Sequence, residues 1–454
     1  GGYFVTTGQQ PGLFSGPLFS LYKALTALRL AEALEPILHR PVLPLFWVAS
    51  EDHDWAEVDH THLVNLDNEL RTVRVPAPTG PANRPLHRIV LADGLDSAMS
   101  EFQQCLPETE FSGPLMELAR DSYNSDRTLP GGFRALLEQL LSDLPLLFVD
   151  AGDPSLKQAS LSVLLRELEG AEEHEFLLNR VSSRLAMDGY HIQVPILAGG
   201  VNLFLEGSEG RDRLYRDGSG FRLHHAGQRM SGSDIRSLAE ADPSLLSPNV
   251  LLRPVVESTL FPVVSYVAGP GEIAYYAQLK DFFATHGIRM PVIHPRFSVT
   301  LVEPKIGKVL EKFHLSLDAV HRPHHELAGE IAREEVPPEV RRALGEIRGA
   351  IGKGSGALLG AVRGVDPTLK GPVTHARNSA FAAFDDAERK ILQAVKRENE
   401  IALGQLEKAQ IHLFPLGKPQ ERVLNAFYYL TRYGPELIPA LLDGFTVDLG
   451  TQSG

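Results

Sequence analysis

The sequence predicts an α/β protein built on an open, parallel β-sheet. The first observation behind this prediction is a strand, a glycine-rich loop and a helix in direct succession over residues 2–34. The second is a series of later apolar runs that each end in a polar or glycine-rich loop. Parallel strands need a crossover between them, usually a helix, so alternating strands and helices are typical of this fold.

The opening unit begins with an apolar strand at residues 3–7, which stops at a glycine-rich loop over residues 8–16. From Pro17 onward leucines recur at helical spacing, and proline is well tolerated at the start of a helix. The free N–H groups and the dipole of a helix N-terminus favour an anion. The unit therefore predicts a phosphate or carboxylate site, although an ordinary strand–helix connection explains the pattern equally well.

The second strand delivers a group of polar residues at its carboxyl end. It covers residues 41–49 and is followed by Glu51, Asp52, His53 and Asp54. Ligands of open α/β sheets bind beyond the carboxyl ends of the strands. We therefore expect this group and the loop of the opening unit to face one crevice.

The strand–loop–helix pattern returns late in the chain. A strand at residues 261–267 ends in Gly269-Pro270-Gly271-Glu272 and is followed by a predicted helix over residues 273–286. A last strand at residues 290–293 leads to Arg296, and another apolar run covers residues 144–150. These segments complete the predicted parallel sheet.

Composition excludes several classes of protein. The chain has 454 residues, a hydrophobic content of 43% and no apolar run of the roughly 18 residues that a membrane span needs. Its net charge of −13 argues against sequence-independent binding of nucleic acid. The single cysteine, Cys105, cannot form an internal disulfide or a thiolate metal site. We expect it to be a core residue of a cytoplasmic protein.

Changes in the sequence pattern divide the chain into three parts. We expect a core at residues 1–303, with insertions near 60–143 and 188–245 where short strand-like segments are broken by proline and glycine. Residues 304–413 predict a helical arm whose apolar stripe suits an antiparallel helical pair or coiled coil. Residues 414–454 predict a helical return onto the core. The simplest use of the arm is dimerisation, and a solvated lobe of a monomer is the alternative.

The polar group at residues 51–54 is the strongest candidate for chemistry, because burial after an apolar strand is costly without cations or ligands. Its carboxylates can hold a substrate ammonium group or Mg²⁺, with His53 as a base. Alternatively, Asp52 and His53 can join His60 and His62 around a transition metal. That spacing matches no compact metal motif, so no metal ligand is assigned. Basic residues close to the loops in sequence can neutralise phosphate oxygens; they are Lys23, Arg253, Lys280 and Arg296.

Seven segments spread over nearly the whole chain carry a family resemblance. They are TGQQPGLFSGPL at residues 7–18, FWVASEDHD at 46–54, FVDAGDP at 148–154, SPNVLLRP at 247–254, AGPGEIAYYAQLK at 268–280, MPVIHPR at 290–296 and GKPQERVLNAFYYL at 417–430. In this order they resemble the bacillithiol biosynthesis cysteine-adding enzymes, the cysteine ligases of low-molecular-weight thiol synthesis. The resemblance implies a Rossmann-like core similar to class I aminoacyl-tRNA synthetases, two insertions and a coiled-coil arm that forms a homodimer.

The resemblance also implies a reaction, in which the carboxyl group of L-cysteine is joined to the amine of glucosaminyl malate. Formation of an amide from a free carboxylate needs activation, for which we expect ATP, with Mg²⁺ as an option. The expected catalytic residues are Glu51, Asp52, His53 and Asp54. The expected nucleotide-binding residues are Gly8, Gln9, Gln10, Gly12, Gly16, Gly269, Gly271, Glu272 and Arg296. The expected substrate-binding residues are Asn249, Arg253 and Tyr276.

Two other functions remain open at this point. A metal-dependent hydrolase would use the aspartate and histidine cluster, and a non-catalytic scaffold would use the helical arm to bring pathway enzymes together. The chain opens with Gly-Gly-Tyr and no methionine. The resemblance therefore leads us to expect a further N-terminal segment of some tens of residues upstream.

Overall fold

The computed structural model describes residues 1–81, 83–91 and 94–449, and the chain divides into two units. The first unit contains Gly1–Val299 together with the C-terminal segment from Glu421. The second unit is Thr300–Gln420. These bounds differ by a few residues from the core and arm expected from the sequence.

The strands all belong to the first unit. In chain order they are β1 (Tyr3–Gln9), β2 (Val42–Val48), β3 (His60–Val64), β4 (Leu70–Arg74), β5 (Leu147–Asp150), β6 (Gly200–Gly207), β7 (Gly210–Asp217), β8 (Gly220–Leu223), β9 (Arg229–Met230), β10 (Leu246–Pro248), β11 (Val263–Ala268) and β12 (Val292–Pro295).

The helices occur in both units. Those of the first unit are α1 (Leu18–Leu38), α2 (Trp55–Val58), α3 (Leu95–Cys105), α4 (Ser112–Ser122), α5 (Leu129–Leu140), α6 (Pro154–Met187), α7 (Gly232–Ala241), α8 (Arg253–Leu260), α9 (Pro270–Tyr276) and α10 (Lys280–Thr285). The second unit contains α11 (Pro304–Lys312), α12 (Leu317–Val320), α13 (His324–Glu334), α14 (Pro338–Ala361), α15 (Lys370–Glu398) and α16 (Glu400–Leu413). The chain then adds α17 (Phe427–Tyr433) and α18 (Leu437–Gly444) to the first unit.

Five strands form a parallel sheet in the order β12–β11–β1–β2–β5. The central strand is β1, and its Gly8 lies opposite Trp47 of β2. Val5, Phe46 and Val48 are fully buried, as is typical of parallel strands covered on both faces. The predicted parallel sheet is confirmed. Because β1, β2 and β11 are neighbours, the loops that follow them open at one edge of this sheet.

Both expected insertions contain independent structure. Between β2 and β5 the chain forms the antiparallel hairpin β3–β4 and the helices α3 to α5. Cys105 ends α3 and is buried, as predicted. After α6 the chain forms an antiparallel sheet in the order β10–β6–β7–β8–β9. The long helix α6 packs against β6 of this second sheet and against α8, the helix that precedes β11 of the parallel sheet.

The helix predicted at residues 273–286 is interrupted and forms α9 and α10. At the interruption the N–H groups of Gln278 and Leu279 bond three residues back instead of four, to Tyr275 and Tyr276. The fully buried side chain of Gln278 bonds to both the N–H group and the carbonyl oxygen of Val194. These tertiary bonds account for a break that helical spacing alone does not reveal.

The described residues of the second unit form helices and their connections, without a strand. The helices α14 and α15 pack as a pair, with Arg348 of α14 forming ion pairs of 2.6 Å with Asp385 and Glu388 of α15. At one end of the pair, Val336 and Val395 belong to one small apolar cluster. No helix in the described part of the chain combines the length and hydropathy that crossing a membrane requires.

Candidate active site

A cleft of about 620 Å³ opens at the carboxyl edge of the parallel sheet. It is lined by residues that follow β1, β2 and β11, together with residues of β6 and β7 from the second sheet. The following residues predicted from the sequence line this cleft: Gly8, Gln9, Gln10, Glu51, Asp52, His53, Asn249, Arg253, Gly269, Gly271, Glu272 and Arg296. The structure therefore brings segments 8–10, 51–53 and 269–272 together.

Glu51 is buried at the end of β2, and its charge is matched within the protein. Its carboxylate forms an ion pair with the ammonium group of Lys157 on α6, which also donates to the carbonyl oxygen of Leu246. The N–H group of Leu86 donates to the carbonyl oxygen of Asp52 at 2.7 Å and fixes the same loop from the other side. Glu51 thus anchors the loop to α6 and to the second sheet.

Asp52 links the loops that follow β1 and β2. Its carboxylate accepts hydrogen bonds from the side-chain amide of Gln10 and from the backbone N–H of His53, at 2.7 Å for the latter, and lies 3.8 Å from the guanidinium of Arg211. Burial acts to raise the pKa of Asp52, but the hydrogen bond from Gln10 and the charge of Arg211 outweigh it and hold the pKa below its usual value. The group is therefore a carboxylate at neutral pH.

His53 is partly buried beside Asp52. Its Nδ1 lies 3.3 Å from Nη1 of Arg211 and 3.7 Å from the Asp52 carboxylate. A guanidinium can only donate, so Nδ1 is the acceptor in this contact. Burial and the charge of Arg211 lower the pKa of His53 against the opposite effect of Asp52. The imidazole is therefore neutral at pH 7.

Arg211 was not identified from the sequence, although it organises this part of the cleft. It lies on β7 and is 7% exposed. It donates to Oγ of Ser247 at 2.9 Å and to the carbonyl oxygen of Pro248 at 2.6 Å, and its guanidinium lies 4.0 Å from the ring centre of Phe204. No local motif signals this residue, because its contact with His53 joins positions 158 residues apart.

Lys23 and Glu272 connect the two strand–loop–helix units. The ammonium group of Lys23 lies 2.6 Å from the Glu272 carboxylate and donates to the carbonyl oxygen of Gly8 at 2.7 Å. Burial lowers the pKa of Lys23, although Glu272 opposes the shift. Burial acts to raise the pKa of Glu272, but Lys23 outweighs it and holds that pKa below its usual value. Lys23 is thus an internal cross-link and not a free phosphate ligand.

The guanidinium groups of Arg253 and Arg296 reach the cleft but are already paired. Arg253 forms an ion pair of 2.8 Å with the buried Glu257 and lies 3.3 Å from the hydroxyl of Tyr266. Arg296 forms an ion pair with Glu421. An anion that binds either guanidinium has to share it with a carboxylate of the protein.

Two further arginines line the cleft without such a partner. Among the described residues, no carboxylate forms an ion pair with Arg213 of β7 or with Arg422, and Nε of Arg213 is buried without a hydrogen-bond partner. Sequence reasoning missed both residues. Arg422 lies inside the segment GKPQERVLNAFYYL, but that segment does not reveal that the C-terminal return brings it to the cleft.

The predicted anion site at the start of α1 is wrong, because this helix start is covered. The N–H group of Leu18 donates to the carbonyl oxygen of Leu424 at 2.9 Å. The side-chain amide of Asn425 donates to the carbonyl oxygens of Phe14 and Gly16, at 2.6 and 3.2 Å. Gly12 and Gly16 are buried and do not line the cleft. These two glycines form a turn in the interior, so a nucleotide has no access to them.

Asp54 and Tyr276 also lie outside the cleft. Asp54 is exposed and precedes α2 without a side-chain hydrogen bond to that helix. Tyr276 is 1% exposed and stacks at 5.2 Å on Tyr275, which lines the cleft in its place. Helical geometry explains the second difference, because adjacent residues of a helix lie on different faces.

The alternative metal site is not assembled. His60 contacts Asp59 at 2.8 Å, and His62 contacts Thr72 at 3.0 Å within the β3–β4 hairpin. Among the described residues, Asp52 and His53 do not join this pair in any group of His, Cys, Asp and Glu ligand atoms within 4.8 Å of one another. The hydrolase hypothesis therefore loses its proposed centre.

Comparison with known proteins identifies the two parts of the chain. Residues 1–297 match the family model described as "Bacillithiol biosynthesis BshC, N-terminal Rossmann-like domain". Residues 299–451 match the model described as "Bacillithiol biosynthesis BshC, C-terminal coiled-coil domain". These descriptions agree with the parallel sheet of the first unit and the paired helices of the second.

Relatives from several bacteria match along nearly the full chain. A protein of Salinibacter ruber is 34% identical over 98% of this chain and 81% of its own length. Proteins of Prosthecochloris aestuarii and Chlorobaculum tepidum are 33% and 32% identical, over 96% and 98% of this chain and 80% and 81% of their own lengths. All three are named "Putative cysteine ligase BshC".

A solved structure from Campylobacter jejuni, described as a "putative arginyl t-RNA synthetase", is 11% identical, with a TM-score of 0.28 over 99% of this chain and 94% of its own. The family models and relatives are far more specific than this likeness. On their evidence, the chain belongs to the bacillithiol biosynthesis BshC family.

Proposed function

We propose that this chain is a cytoplasmic ligase that forms the amide bond between the carboxyl group of L-cysteine and the amine of glucosaminyl malate, with ATP activating the carboxyl group. The names of its relatives support a cysteine ligase. A free carboxylate does not react with an amine at a useful rate, and conversion to an adenylate or acyl phosphate supplies a leaving group. ATP, bound as its magnesium complex, provides either intermediate.

One observation carries this proposal: Asp52, His53, Arg213 and Arg422 line one cleft at the edge of a parallel sheet. Its volume of about 620 Å³ lies within the range of roughly 300–1,000 Å³ typical of sites for small molecules. ATP and glucosaminyl malate are both anionic. A guanidinium without an ion pair can bind their phosphate or carboxylate groups through two parallel hydrogen bonds.

In the proposed reaction the amine nitrogen attacks the activated carbonyl carbon of cysteine. The C–N bond forms, the bond from that carbon to the oxygen of the activating phosphate breaks, and the amine loses a proton. His53 accepts this proton at Nδ1, and Asp52, 3.7 Å away, stabilises the resulting imidazolium. Arg211 has to give up its contact with Nδ1 at this step and is then free to bind the departing anion.

The direct test incubates the purified full-length protein with ATP, L-cysteine and glucosaminyl malate and follows bacillithiol by mass spectrometry. We expect ATP consumption and product only when both substrates are present. A full-length protein that makes no bacillithiol under these conditions would contradict the proposal. Unchanged cellular bacillithiol in a His53→Gln strain would favour the non-catalytic scaffold instead.

The unpaired arginines provide a sharper test of anion binding. We expect Arg213→Met and Arg422→Met each to raise the KM for an anionic substrate about 10-fold or more, because a charge-assisted hydrogen bond contributes about 1.5–3 kcal/mol. Arg216→Met on the same strand is the matched control, since Arg216 is paired with Glu175 and does not line the cleft. Equal KM values in all three variants would remove the two arginines from the binding site.

We also propose that the second unit forms a homodimer through α14 and α15. No residue of α14 is buried within the described chain, and Ile347 and Leu358 on this helix are 37% and 51% exposed. An antiparallel partner helix from a second copy would cover such side chains. Sedimentation should give twice the chain mass, and Leu358→Glu should shift the protein towards monomer. A wild-type monomer at micromolar concentration would contradict this assignment.

A further inference from the structure

Three buried side chains with metal-binding groups meet behind the cleft, outside the site described above. Glu167 and His174 lie two turns apart on α6, and His286 follows α10. The exposed fractions of these side chains are 0%, 4% and 1%. One ligand atom from each lies within 4.8 Å of the other two.

A hydrogen bond within this cluster accounts for only two of the three residues. Nδ1 of His174 lies 2.6 Å from Oε2 of Glu167, which is a hydrogen bond. Nε2 of His286 lies 3.9 Å from the same oxygen, which is too far for one. Neither ring nitrogen of His286 has a hydrogen-bond partner, although both are buried. A buried polar group without a partner is rare in folded proteins and requires an explanation.

Neighbouring groups hold the cluster in a fixed orientation. Oε1 of Glu167 accepts hydrogen bonds from the backbone N–H and the side-chain amide of Asn202, at 3.1 and 2.9 Å. These bonds leave Oε2 directed at the histidines. Arg166 donates to the carbonyl oxygen of His286 at 2.9 Å. Hydrogen bonds of this kind to the groups around a metal site orient the ligands and tune their basicity.

We propose that Glu167, His174 and His286 bind one divalent transition-metal ion, with Zn²⁺ as the best match. Two imidazole nitrogens and one carboxylate oxygen form a ligand set that Zn²⁺ uses at distances of about 2.0–2.2 Å. At bonds of this length, two ligand atoms on a tetrahedral ion lie roughly 3.3–3.6 Å apart. Binding would therefore replace the 2.6 Å hydrogen bond between Glu167 and His174 and bring His286 closer than its present 3.9 Å to the Glu167 oxygen. The ion would bind a ring nitrogen of His286, which has no hydrogen-bond partner within the protein.

The burial of the cluster makes this a structural site, not a second catalytic one. None of the three side chains lines the cleft. Through Asn202, however, the cluster reaches the cleft wall, because Oδ1 of Asn202 accepts a hydrogen bond of 2.8 Å from the side-chain amide of Asn249. The ion would clamp α6 to the segment after α10 and hold Asn249 in place. This inference does not depend on the proposed ligase activity.

The test measures metal content and thermal stability of the full chain. The protein is treated with a chelator, dialysed, supplied with Zn²⁺ and passed over a desalting column before elemental analysis. We expect one Zn²⁺ per chain and a Tm that rises on addition of Zn²⁺. His286→Gln should lose at least about 100-fold in Zn²⁺ affinity and show no rise in Tm. His191→Gln, which alters an exposed histidine, is the matched control and should behave as the wild type.

Several results would overturn the assignment. Wild-type protein that retains no Zn²⁺ after loading excludes the site, and so does a His286→Gln protein that retains one ion per chain. If the variant does not fold, Co²⁺ replaces Zn²⁺ in the wild type. The intense visible absorption of tetrahedral Co²⁺ with nitrogen and oxygen ligands would then support the site, and the weak spectrum of hydrated Co²⁺ would exclude it.

Discussion

Two segments of this chain have the same local pattern, and the fold uses them differently. After β1, and again after β11, a glycine-rich loop leads from a parallel strand into a helix. Gly269 and Gly271 line the cleft, whereas Gly12 and Gly16 lie in the interior. The difference arises from the C-terminal segment, because Leu424 and Asn425 bond to the first helix start and its loop.

This comparison shows that the strand–loop–helix pattern predicts the edge of the sheet at which a loop emerges. It does not predict whether a ligand can reach that loop. Both loops emerge at the carboxyl edge, as the parallel topology requires. The N–H group of Leu18 at the first helix start is already bonded to the protein, so an anion cannot use it. The proposed function at this edge therefore rests on side chains of the neighbouring loop that line the cleft, Asp52 and His53 above all.

The largest effect should distinguish two carboxylates of the loop after β2, Asp52 and Asp54. Asp52→Asn should lower kcat/KM about 100-fold, or about 2.7 kcal/mol, because the carboxylate connects Gln10, His53 and Arg211 in the cleft. Asp54→Asn should stay within about 3-fold of wild type, since Asp54 is exposed and outside the cleft. Steady-state kinetics of bacillithiol formation measure both. Equal losses of kcat/KM in the two variants would contradict the assignment of Asp52, and not Asp54, to the cleft.

The next largest effect concerns the buried loop before α1 and should appear in the free energy of unfolding. Asn425→Ala should lower the free energy of unfolding by about 2–3 kcal/mol, because it leaves the buried carbonyl groups of Phe14 and Gly16 without a donor. Denaturant unfolding measures this change. Asn179→Ala on the exposed face of α6 is the control and should change little. A normal unfolding curve for Asn425→Ala would mean that the cover is not needed to hold the loop.

The sequence predicted the parts of the site that depend on local pattern. Apolar runs located β1, β2 and β11, and the rule that ligands bind at strand ends placed Asp52 and His53 correctly at the cleft. Arg211 could not be found in this way, because its position depends on how the β6–β7 hairpin packs against a strand end 158 residues earlier in the chain. The sequence also did not reveal which charged side chains form ion pairs within the protein. Lys23 could have bound phosphate by its position in the sequence, but in the structure it is paired with Glu272.

Substitution of one glycine in each of the two loops should show the same difference between the loops, with smaller changes in the free energy of unfolding. Gly16 has φ 65° and ψ −160°, a conformation that is essentially restricted to glycine, so Gly16→Ala should cost about 1–3 kcal/mol of stability. Gly269 has φ −78°, and an added Cβ would meet its nearest neighbour, Oε2 of Glu272, at 3.4 Å. Gly269→Ala should therefore cost less than about 0.5 kcal/mol. The two unfolding curves test this difference, and similar losses would contradict it.

The smallest effect is a pH shift at His53. Burial and Arg211 lower the pKa of His53, so the neutral base persists to a pH below the ordinary value of about 6.5. As the pH falls through this lowered pKa, the proposed base becomes protonated and kcat/KM should fall. Arg211→Gln removes one of the influences that lower the pKa of His53, so the acid limb should move to higher pH. The pH profile and the NMR titration of His53 should move together, with Arg216→Gln unchanged. A limb that stays in place in Arg211→Gln would mean that a group other than His53 accepts the proton.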